Sequence, residues 1–338
     1  MGKKVTIQDI ADTLNLSRNT VSKALNGKNV PARTRNAVLN AAIEMGYKGY
    51  KLAASSDGTL GQKRFVILST RFLLNMNYYI LVLRGMEENL SDYDVDLVQF
   101  RITNQASFSK FKHYLSSSKV DGIVCMEFFE PEYIAELLEL DTALVFLDFP
   151  LYNSTLRGKY DIILPESQDV IKNFCMDMIR ENNCRTFGFV GDYLHCRSFY
   201  ERFTGMREAL FFSSIPVDLQ YSILNDDSMP YDPEALAKEL HNLSSLPDCF
   251  VAANDAIAIN LLKALKNLKI SVPKDVRVIG FDNVADAKNC TPPLTSVNVN
   301  KSMLGSRIIS LLLDRIANPM QANQIIHISS KLVIRSST

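Results

Sequence analysis

Residues 6–25 read TIQDIADTLNLSRNTVSKAL, and this stretch decides the fold of the N-terminal region. Thr6 and Ser17 are residue types that favour helix N-caps, and Asn15 suits the left-handed conformation that ends a helix. The apolar residues between these signals recur at helical spacing: Ile7, Ile10, Ala11 and Leu14, then Val21, Ala24 and Leu25. Two short helices around a tight turn are typical of a helix-turn-helix.

A third helix is predicted after Pro31, because a further apolar stripe follows and ends at Gly46. The members of this stripe are Val38, Leu39, Ala42 and Met45. Three small helices can bury one compact core together.

The second helix of such a unit enters the DNA major groove with its first residues at the base edges. Arg18 and Asn19 begin this helix, and Lys23 follows one turn later. Arginine and lysine suit the acceptors of guanine, and asparagine suits the donor–acceptor pair of adenine. Short polar residues are placed for phosphate contacts at Thr20, Ser22 and Asn26, and at the two helix N-termini, Thr6 and Ser17.

The charge distribution supports a nucleic-acid partner. Formal net charge is +0 over 338 residues, but residues 1–64 hold eleven basic and four acidic residues, a charge of +7. The remainder holds 26 basic and 33 acidic residues, a charge of −7. A basic module before an acidic body is the asymmetry expected of a DNA-binding protein.

Several other classes of protein are disfavoured. No run of about 18 apolar residues occurs, and the N-terminus lacks the apolar core of a signal peptide, so we expect a cytoplasmic protein without a membrane partner. The six cysteines include no CxxC pair, and the four histidines have no metal or triad spacing. We therefore expect no metal, no cofactor and no enzymatic activity; His195 beside Cys196 does not make a catalytic pair, because adjacent residues on an extended segment point opposite ways.

From residue 64 onward, short apolar runs alternate with amphipathic stretches. The runs are Phe65–Leu68, Val95–Phe100, Gly122–Met126 and Ala143–Leu147, then Thr186–Gly191, Cys249–Ala253 and Val276–Asp282. Alternating β and α elements predict parallel sheets with helices on both faces, and two such series predict two similar lobes with a cleft between them.

Ligands of parallel sheets bind at the carboxyl ends of the strands. The polar residues directly after the predicted strands are Ser69, Thr70, Asp148, Asn254, Asp255 and Asp282. Carboxylates and amides at these positions can bind the hydroxyl groups of a ligand. Arg202 can form bidentate hydrogen bonds to two oxygens, and Tyr78 and Tyr79 can stack on a ring. Each could also be structural, since a strand-end Asp often caps the next helix and paired aromatics often lie in a core.

The N-terminal stretch resembles the headpiece of the LacI/GalR family. The resemblance rests on VTIQDIA (5–11), LSRNTVSKALNG (16–27), Thr34–Arg35, Ala41–Ala42 and MGY (45–47). It implies that Arg18, Asn19 and Lys23 read bases while Tyr47 touches the DNA backbone.

The resemblance continues through the body, at VDGIV (120–124), FVG (189–191), ERFTG (201–205), NDAIA (254–258), VPKDV (272–276) and GFDN (280–283), with PPLTSV (292–297) resembling the crossover back to the first lobe. It implies that Asp148, Arg202, Asn254 and Asp282 line an effector cleft and that the first lobe forms a dimer. Many sugar-binding members stack a Trp on the ring; this chain has none, so Tyr or Phe would have to substitute.

The hinge departs from the family pattern. Gly49 stands where the family usually has a proline, and Ser56 stands where it has the leucine that wedges into the minor groove. Ser56 cannot wedge a base step as an apolar side chain does, so either Leu52, one turn earlier, takes this role or the DNA kink is weaker.

We therefore predict an α/β protein with an all-α helix-turn-helix headpiece (1–48), a hinge (49–62) and a two-lobed sensor resembling periplasmic binding proteins (63–338). The expected function is transcriptional regulation, as a repressor, by a homodimer that binds a pseudo-palindromic operator and a small polar effector. We expect a sugar or sugar derivative; a nucleobase or other metabolite is the alternative. A solute-binding protein would fit the sensor alone but not the headpiece.

Overall fold

A computed structural model describes residues 5–25, 30–31, 34, 37–38, 41–42, 45, 63–73, 77–90, 95–151, 158–224 and 231–338. The first helices are α1 (Ile7–Leu14) and α2 (Arg18–Leu25). Thr6 caps α1, since its Oγ1 accepts from the Asp9 amide at 3.3 Å and its own amide donates to Asp9 Oδ2 at 2.7 Å. Asn15 ends α1 with φ 55°, and Ser17 Oγ accepts from the Thr20 amide at 3.0 Å. The predicted caps are confirmed.

The headpiece has the predicted apolar core. Its buried members are Ile10, Ala11, Val21, Ala24, Leu25, Val38, Ala41 and Ala42. Residues 34, 37, 38, 41 and 42 are helical, which agrees with the third helix, and Met45 packs against this core. Leu39, Gly46 and the hinge at 49–62 lie outside the described residues.

Two sheets organise the sensor. The first is parallel, in the order β10-β5-β4-β3-β1-β2, with β1 (Lys63–Ser69), β2 (Val95–Arg101), β3 (Gly122–Met126), β4 (Ala143–Leu147), β5 (Asp161–Pro165) and β10 (Ile325–Ile328). The second has the order β11-β9-β8-β7-β6, with β6 (Phe187–Val190), β7 (Cys249–Ala252), β8 (Arg277–Asp282), β9 (Thr295–Val299) and β11 (Ser330–Val333). Only β11 pairs antiparallel.

Helices flank both sheets, as alternation predicts. The first sheet carries α3 (Asn77–Leu90), α4 (Gln105–Ser117), α5 (Pro131–Leu138) and α10 (Lys301–Ala317); we call this unit the first lobe. The second carries α6 (Gln168–Glu181), α7 (Arg197–Phe212), α8 (Pro233–Asn242) and α9 (Asp255–Asn267), forming the second lobe. None of the described helices is long and apolar enough to cross a bilayer.

The chain passes between the lobes three times: from β5 to α6, from β9 to α10, and from β10 to β11. The predicted position of one crossing was wrong. The segment 292–297 does not cross over; Thr295–Val299 is a strand of the second sheet, and the crossing follows it at Asn300. Small and β-branched residues at 295–299 favour the strand, and Asn300 then caps α10.

Close packing of α3 on α10 fixes the position of the residues that begin α10. A Cβ on Gly85 would lie 2.0 Å from the Ser302 carbonyl oxygen, and a Cβ on Gly305 would lie 1.9 Å from that of Val82. Only glycine permits this approach at both positions. It holds Lys301, the first residue of α10, against the strand ends of the second lobe.

Candidate functional site

The helix α2 presents one polar face and one buried face. Arg18, Asn19 and Lys23 are exposed, whereas Val21, Ala24 and Leu25 on the other side are buried. Thr20 is half-buried, with its hydroxyl 2.8 Å from that of Ser17, and Ser22 is also half-buried. The exposed face is therefore free to meet base edges. Three further predicted DNA contacts, Asn26, Tyr47 and Leu52, lie outside the described residues.

A cavity of about 100 Å³ lies between the two lobes at the carboxyl ends of the strands. Its lining includes six of the residues predicted from the sequence: Tyr78, Tyr79, Asp148, Arg202, Asn254 and Asp282. Further lining comes from Glu127, Phe129, Leu147, Pro165, His195, Cys196, Ser198 and Phe199. The strand-end rule accounts for Asp148, Asn254 and Asp282, the first and last of which are 134 positions apart.

Asp148 follows β4 with φ 68° and reaches across the cleft. Its carboxylate accepts from the Ser198 amide at 3.2 Å and from the Ser198 hydroxyl at 2.5 Å. Ser198 lies in the first turn of α7, so a carboxylate of the first lobe caps a helix of the second. The next residue, Phe149, accepts from the Arg197 amide at 2.9 Å through its carbonyl. The N-terminus of α7 is thereby tied to the opposite lobe.

Asp282 ends β8 with φ 108°, in the region that side chains rarely adopt. The Lys301 ammonium, itself buried, donates to the Asp282 carbonyl and, at 3.3 Å, to that of Val299. Burial raises the pKa of Asp282 to about 6, although Arg202 and Lys301 lower it. Burial also lowers the pKa of Lys301, and Asp282 opposes this. The strained backbone at Asp282 is thus held by a buried cation.

The guanidinium of Arg202 is buried inside the cleft. It stacks on the Phe281 ring at 3.7 Å and donates through Nη1 to the Ala253 carbonyl. Its Nε is buried and has no hydrogen-bond partner among the described residues. The positive charge of Arg202 lowers the pKa of the Asp282 carboxylate, which lines the same cavity and accepts none of the hydrogen bonds found within the described residues.

Two tyrosines of α3 form the wall opposite Arg202. The Tyr79 hydroxyl donates to Glu127, whereas Tyr78 packs its ring edge against Tyr79 with centroids 4.9 Å apart. Burial, chiefly, and the nearby Asp282 raise the pKa of Tyr78 well above its usual value. Both phenols are therefore neutral at physiological pH and can serve as donors.

Two predicted effector residues lie beneath the cleft. Ser69 is fully buried, and its hydroxyl donates to the Arg71 carbonyl at 3.0 Å. Asp255 accepts from the Ser296 hydroxyl at 2.6 Å and from the Val284 amide at 2.8 Å. Burial, and then Asp282, raise the pKa of Asp255 to about 7. Neither side chain lines the cavity; both support the strand ends that do.

Comparison with known proteins identifies the families to which the two parts of this chain are similar. Residues 6–49 match the model of bacterial regulatory proteins of the lacI family, and residues 176–338 match that of the periplasmic binding protein-like domain. The chain belongs to the LacI/GalR family. It is a DNA-binding transcriptional regulator, as its headpiece and sensor together predict, and not an enzyme.

Relatives of this LacI/GalR member extend over its full length. It is 27% identical over 342 residues to the HTH-type transcriptional regulator GalR of Streptococcus thermophilus, covering 98% of this chain and 99% of the relative. The structure of the transcriptional regulator CelR in complex with cellobiose superposes with a TM-score of 0.71 at 22% identity, covering 99% of this chain and 100% of CelR. The Lac repressor dimer bound to operator and the anti-inducer ONPF superposes at 0.65 and 20% identity, with 99% of both chains covered.

Sequence reasoning missed several residues that line the cleft of this LacI/GalR member. Glu127 directly follows β3, so the strand-end rule could have found it had it been applied to that strand. Ser198 and Phe199 lie in the first turn of α7, and His195 lies just before this helix, all upstream of the predicted Arg202. Lys301 carried no signal, because its position depends on the packing of α10 against α3.

Proposed function

We propose that this protein is a repressor whose DNA affinity is set by a small, uncharged, polyhydroxyl effector, a sugar or sugar derivative, bound in the cleft between the lobes. The observation that carries the proposal is the pair Arg202 and Asp282, both in the second lobe. Both residues line one cavity, and the Arg202 Nε is buried without a hydrogen-bond partner among the described residues. The pKa of the Asp282 carboxylate is set by burial and by neighbouring charges, with no hydrogen bond contributing. Buried polar groups of this kind need a partner, and a ligand supplies it.

A sugar matches both groups at once. Adjacent hydroxyls of a diol can donate to the Asp282 carboxylate while their oxygens accept from the Arg202 guanidinium. Asn254 contributes through its amide nitrogen, because its Oδ1 already accepts from the Ile257 amide at 2.9 Å to cap α9. Three carboxylates face the cleft, those of Glu127, Asp148 and Asp282, which disfavours phosphorylated or acidic effectors.

A nucleobase is the second candidate, because Phe129 and Phe199 also line the cavity and offer ring faces for stacking. Tyr78 and these phenylalanines supply the aromatic surface in a chain without tryptophan. The two candidates differ in which groups they require. A sugar depends mainly on Asp282 and Arg202, whereas a base depends on Phe199 at least as much.

The working form that we propose is a homodimer. One headpiece presents Arg18, Asn19 and Lys23 to only a few base pairs, whereas two headpieces related by a two-fold axis read a pseudo-palindrome with twice the information. The Lac repressor structure similar to this chain is a dimer on its operator. We place the protein in the cytoplasm, where its operator is.

The effector proposal is tested by thermal shift against glucose, galactose, ribose, cellobiose, hypoxanthine, guanine and glucose-6-phosphate. We expect a neutral sugar to raise the melting temperature of the wild type, by mass action on the folded state. Asp282→Asn should remove that shift, and Asp141→Asn, an exposed position on the first lobe, should keep it. A shift given by the sugar phosphate but by no neutral sugar would contradict the proposal.

A further inference from the structure

The first two turns of α7 face two different spaces between the lobes. Ser198 and Arg202, four residues apart, line the effector cleft. Arg197 and Glu201, also four residues apart, line a second cavity of about 590 Å³ beside the edge strand β10. Residues four apart share a helix face, so one short helical segment serves both spaces. Movement of one face necessarily moves the other.

Glu201, which lines this second cavity, makes a contact between the lobes. His327 on β10, in the first lobe, places its Nε2 2.9 Å from Glu201 Oε1 and 3.2 Å from Oε2. Arg197 donates from its Nε to the same Oε1 at 3.1 Å. The Glu201 side chain is 10% exposed and that of His327 is 34% exposed, so the carboxylate is largely desolvated while solvent protons can reach the imidazole.

We propose that Glu201 and His327 form a proton-dependent positioning contact that holds the two lobes closed and thereby fixes α7, together with Arg202, in the cleft. The predicted influence of this contact on effector binding rests on the proposed function above. The contact itself does not, because neither Glu201 nor His327 lines the effector cleft. The neighbouring bonds from Arg197 and Ser198 to Phe149 and Asp148 close with it.

The charge on His327 determines the strength of this contact. The hydrogen bond to Glu201 has the largest effect and raises the pKa of His327. The negative charges of Glu201 and Glu166 raise this pKa further, whereas burial and the positive charge of Arg197 lower it. The groups facing the imidazole are thus Glu201 and Arg197 from α7 and Glu166 from the segment after β5. Glu166 has its own pKa raised, mainly by burial. The net result favours the imidazolium form.

The direction of the pH effect follows from this shift. When the lobes separate, the pKa of His327 returns toward its usual value of about 6.5. The stabilisation of the closed geometry is therefore fully present below that usual value, and it is lost as the pH rises through the raised pKa. The neutral imidazole can still donate one ordinary hydrogen bond, so deprotonation weakens the contact without abolishing it.

Hydrogen exchange of the free, full-length protein tests this directly. The amides of Arg197 and Ser198 donate only across the lobes, to the Phe149 carbonyl and the Asp148 carboxylate, so their exchange reports lobe separation. We expect their protection, corrected for intrinsic rates, to fall about three- to tenfold between about pH 6 and pH 8. His327→Gln keeps a neutral donor without the charge, and should show low protection that no longer depends on pH. His113→Gln, at an exposed position of α4, should behave as wild type.

A second readout separates a positioning role from a merely structural one. Histidine titration by NMR should give a raised pKa that is absent in His327→Gln and shifted back toward the usual value in Glu201→Gln. Protection that is flat with pH in the wild type, or that keeps its pH dependence in His327→Gln, would overturn the inference. Failure of every effector in the thermal-shift panel would instead count against the proposed function and leave this result standing.

Discussion

The carboxylate of Asp148 in the first lobe caps α7 of the second lobe through Ser198, with contacts of 3.2 Å to the amide and 2.5 Å to the hydroxyl. A helix N-terminus carries unsatisfied amides and a partial positive charge, so the charge and the bond act in the same direction. The residue that caps α7 lies on the other side of the effector cleft. Closure of the cleft and completion of α7 are therefore one event, and this links a ligand in the cleft to the lobe geometry.

Asp148→Asn tests this link. The amide can still accept from Ser198 but lacks the charge, so we expect the closed geometry to be weakened and the Arg197 and Ser198 amides to exchange several-fold faster. Asp141→Asn, an exposed carboxylate removed from the same lobe, serves as the control and should leave both amides unchanged. Equal exchange in the two variants would show that Asp148 does not hold the lobes together.

The headpiece caps give a prediction of their own. Thr6→Ala removes the Oγ1 that accepts from the Asp9 amide, and helix caps of this type contribute about 1 kcal/mol. We expect the amides of α1 to lose protection in the full-length protein by a corresponding factor of about five. Thr6→Ser keeps the acceptor and should restore protection; failure of that rescue would assign the loss to something other than the cap.

The DNA-reading residues can be separated from general electrostatics by comparing operator with random DNA. Arg18→Ala and Lys23→Ala should each weaken operator binding by about 1–3 kcal/mol per protomer and spare nonspecific binding more. Lys110→Ala removes an exposed positive charge from α4 in the sensor and should have no such effect. Equal losses on operator and random DNA for Arg18→Ala would remove it from the base-reading set.

The cleft has a predicted pH dependence that runs opposite to that of the lobe contact. The pKa of Asp282 is raised to about 6, so the carboxylate that binds hydroxyl groups is lost as the pH falls through that value. We expect sugar affinity to drop up to about tenfold per pH unit below it. Lys301→Met removes a cation that lowers the pKa of Asp282, and should move this loss to higher pH. An unchanged pH profile in Lys301→Met would show that Lys301 does not act through Asp282.

Much of this molecule follows from local sequence rules. Caps such as Thr6 and Asn15 act within a few residues, and β3 and β4 begin and end where their apolar runs do. The strands β5, β9, β10 and β11 were not predicted, because all four adjoin the crossings between lobes, where long-range packing decides the path.

The candidate site was predictable to the extent that it follows the strand-end rule. That rule places Asp148 and Asp282 in the cleft but cannot tell a lining carboxylate from a supporting one, which is why Asp255 lies beneath the surface. Glu201 and His327 gave no signal, since 126 positions separate them and only the closure of the lobes brings them together.

The central claim is that Asp282 transmits the presence of the effector to the headpieces, and operator affinity measured with and without the active sugar on one variant tests it most directly. Asp282→Asn is preferred to Asp282→Ala, because asparagine tolerates positive φ better. We expect Asp282→Asn to keep the melting temperature and the effector-free operator affinity of the wild type, while the effector response of about 1–3 kcal/mol is lost. A normal effector response, or a loss of operator affinity in proportion to a lowered melting temperature, would contradict the account.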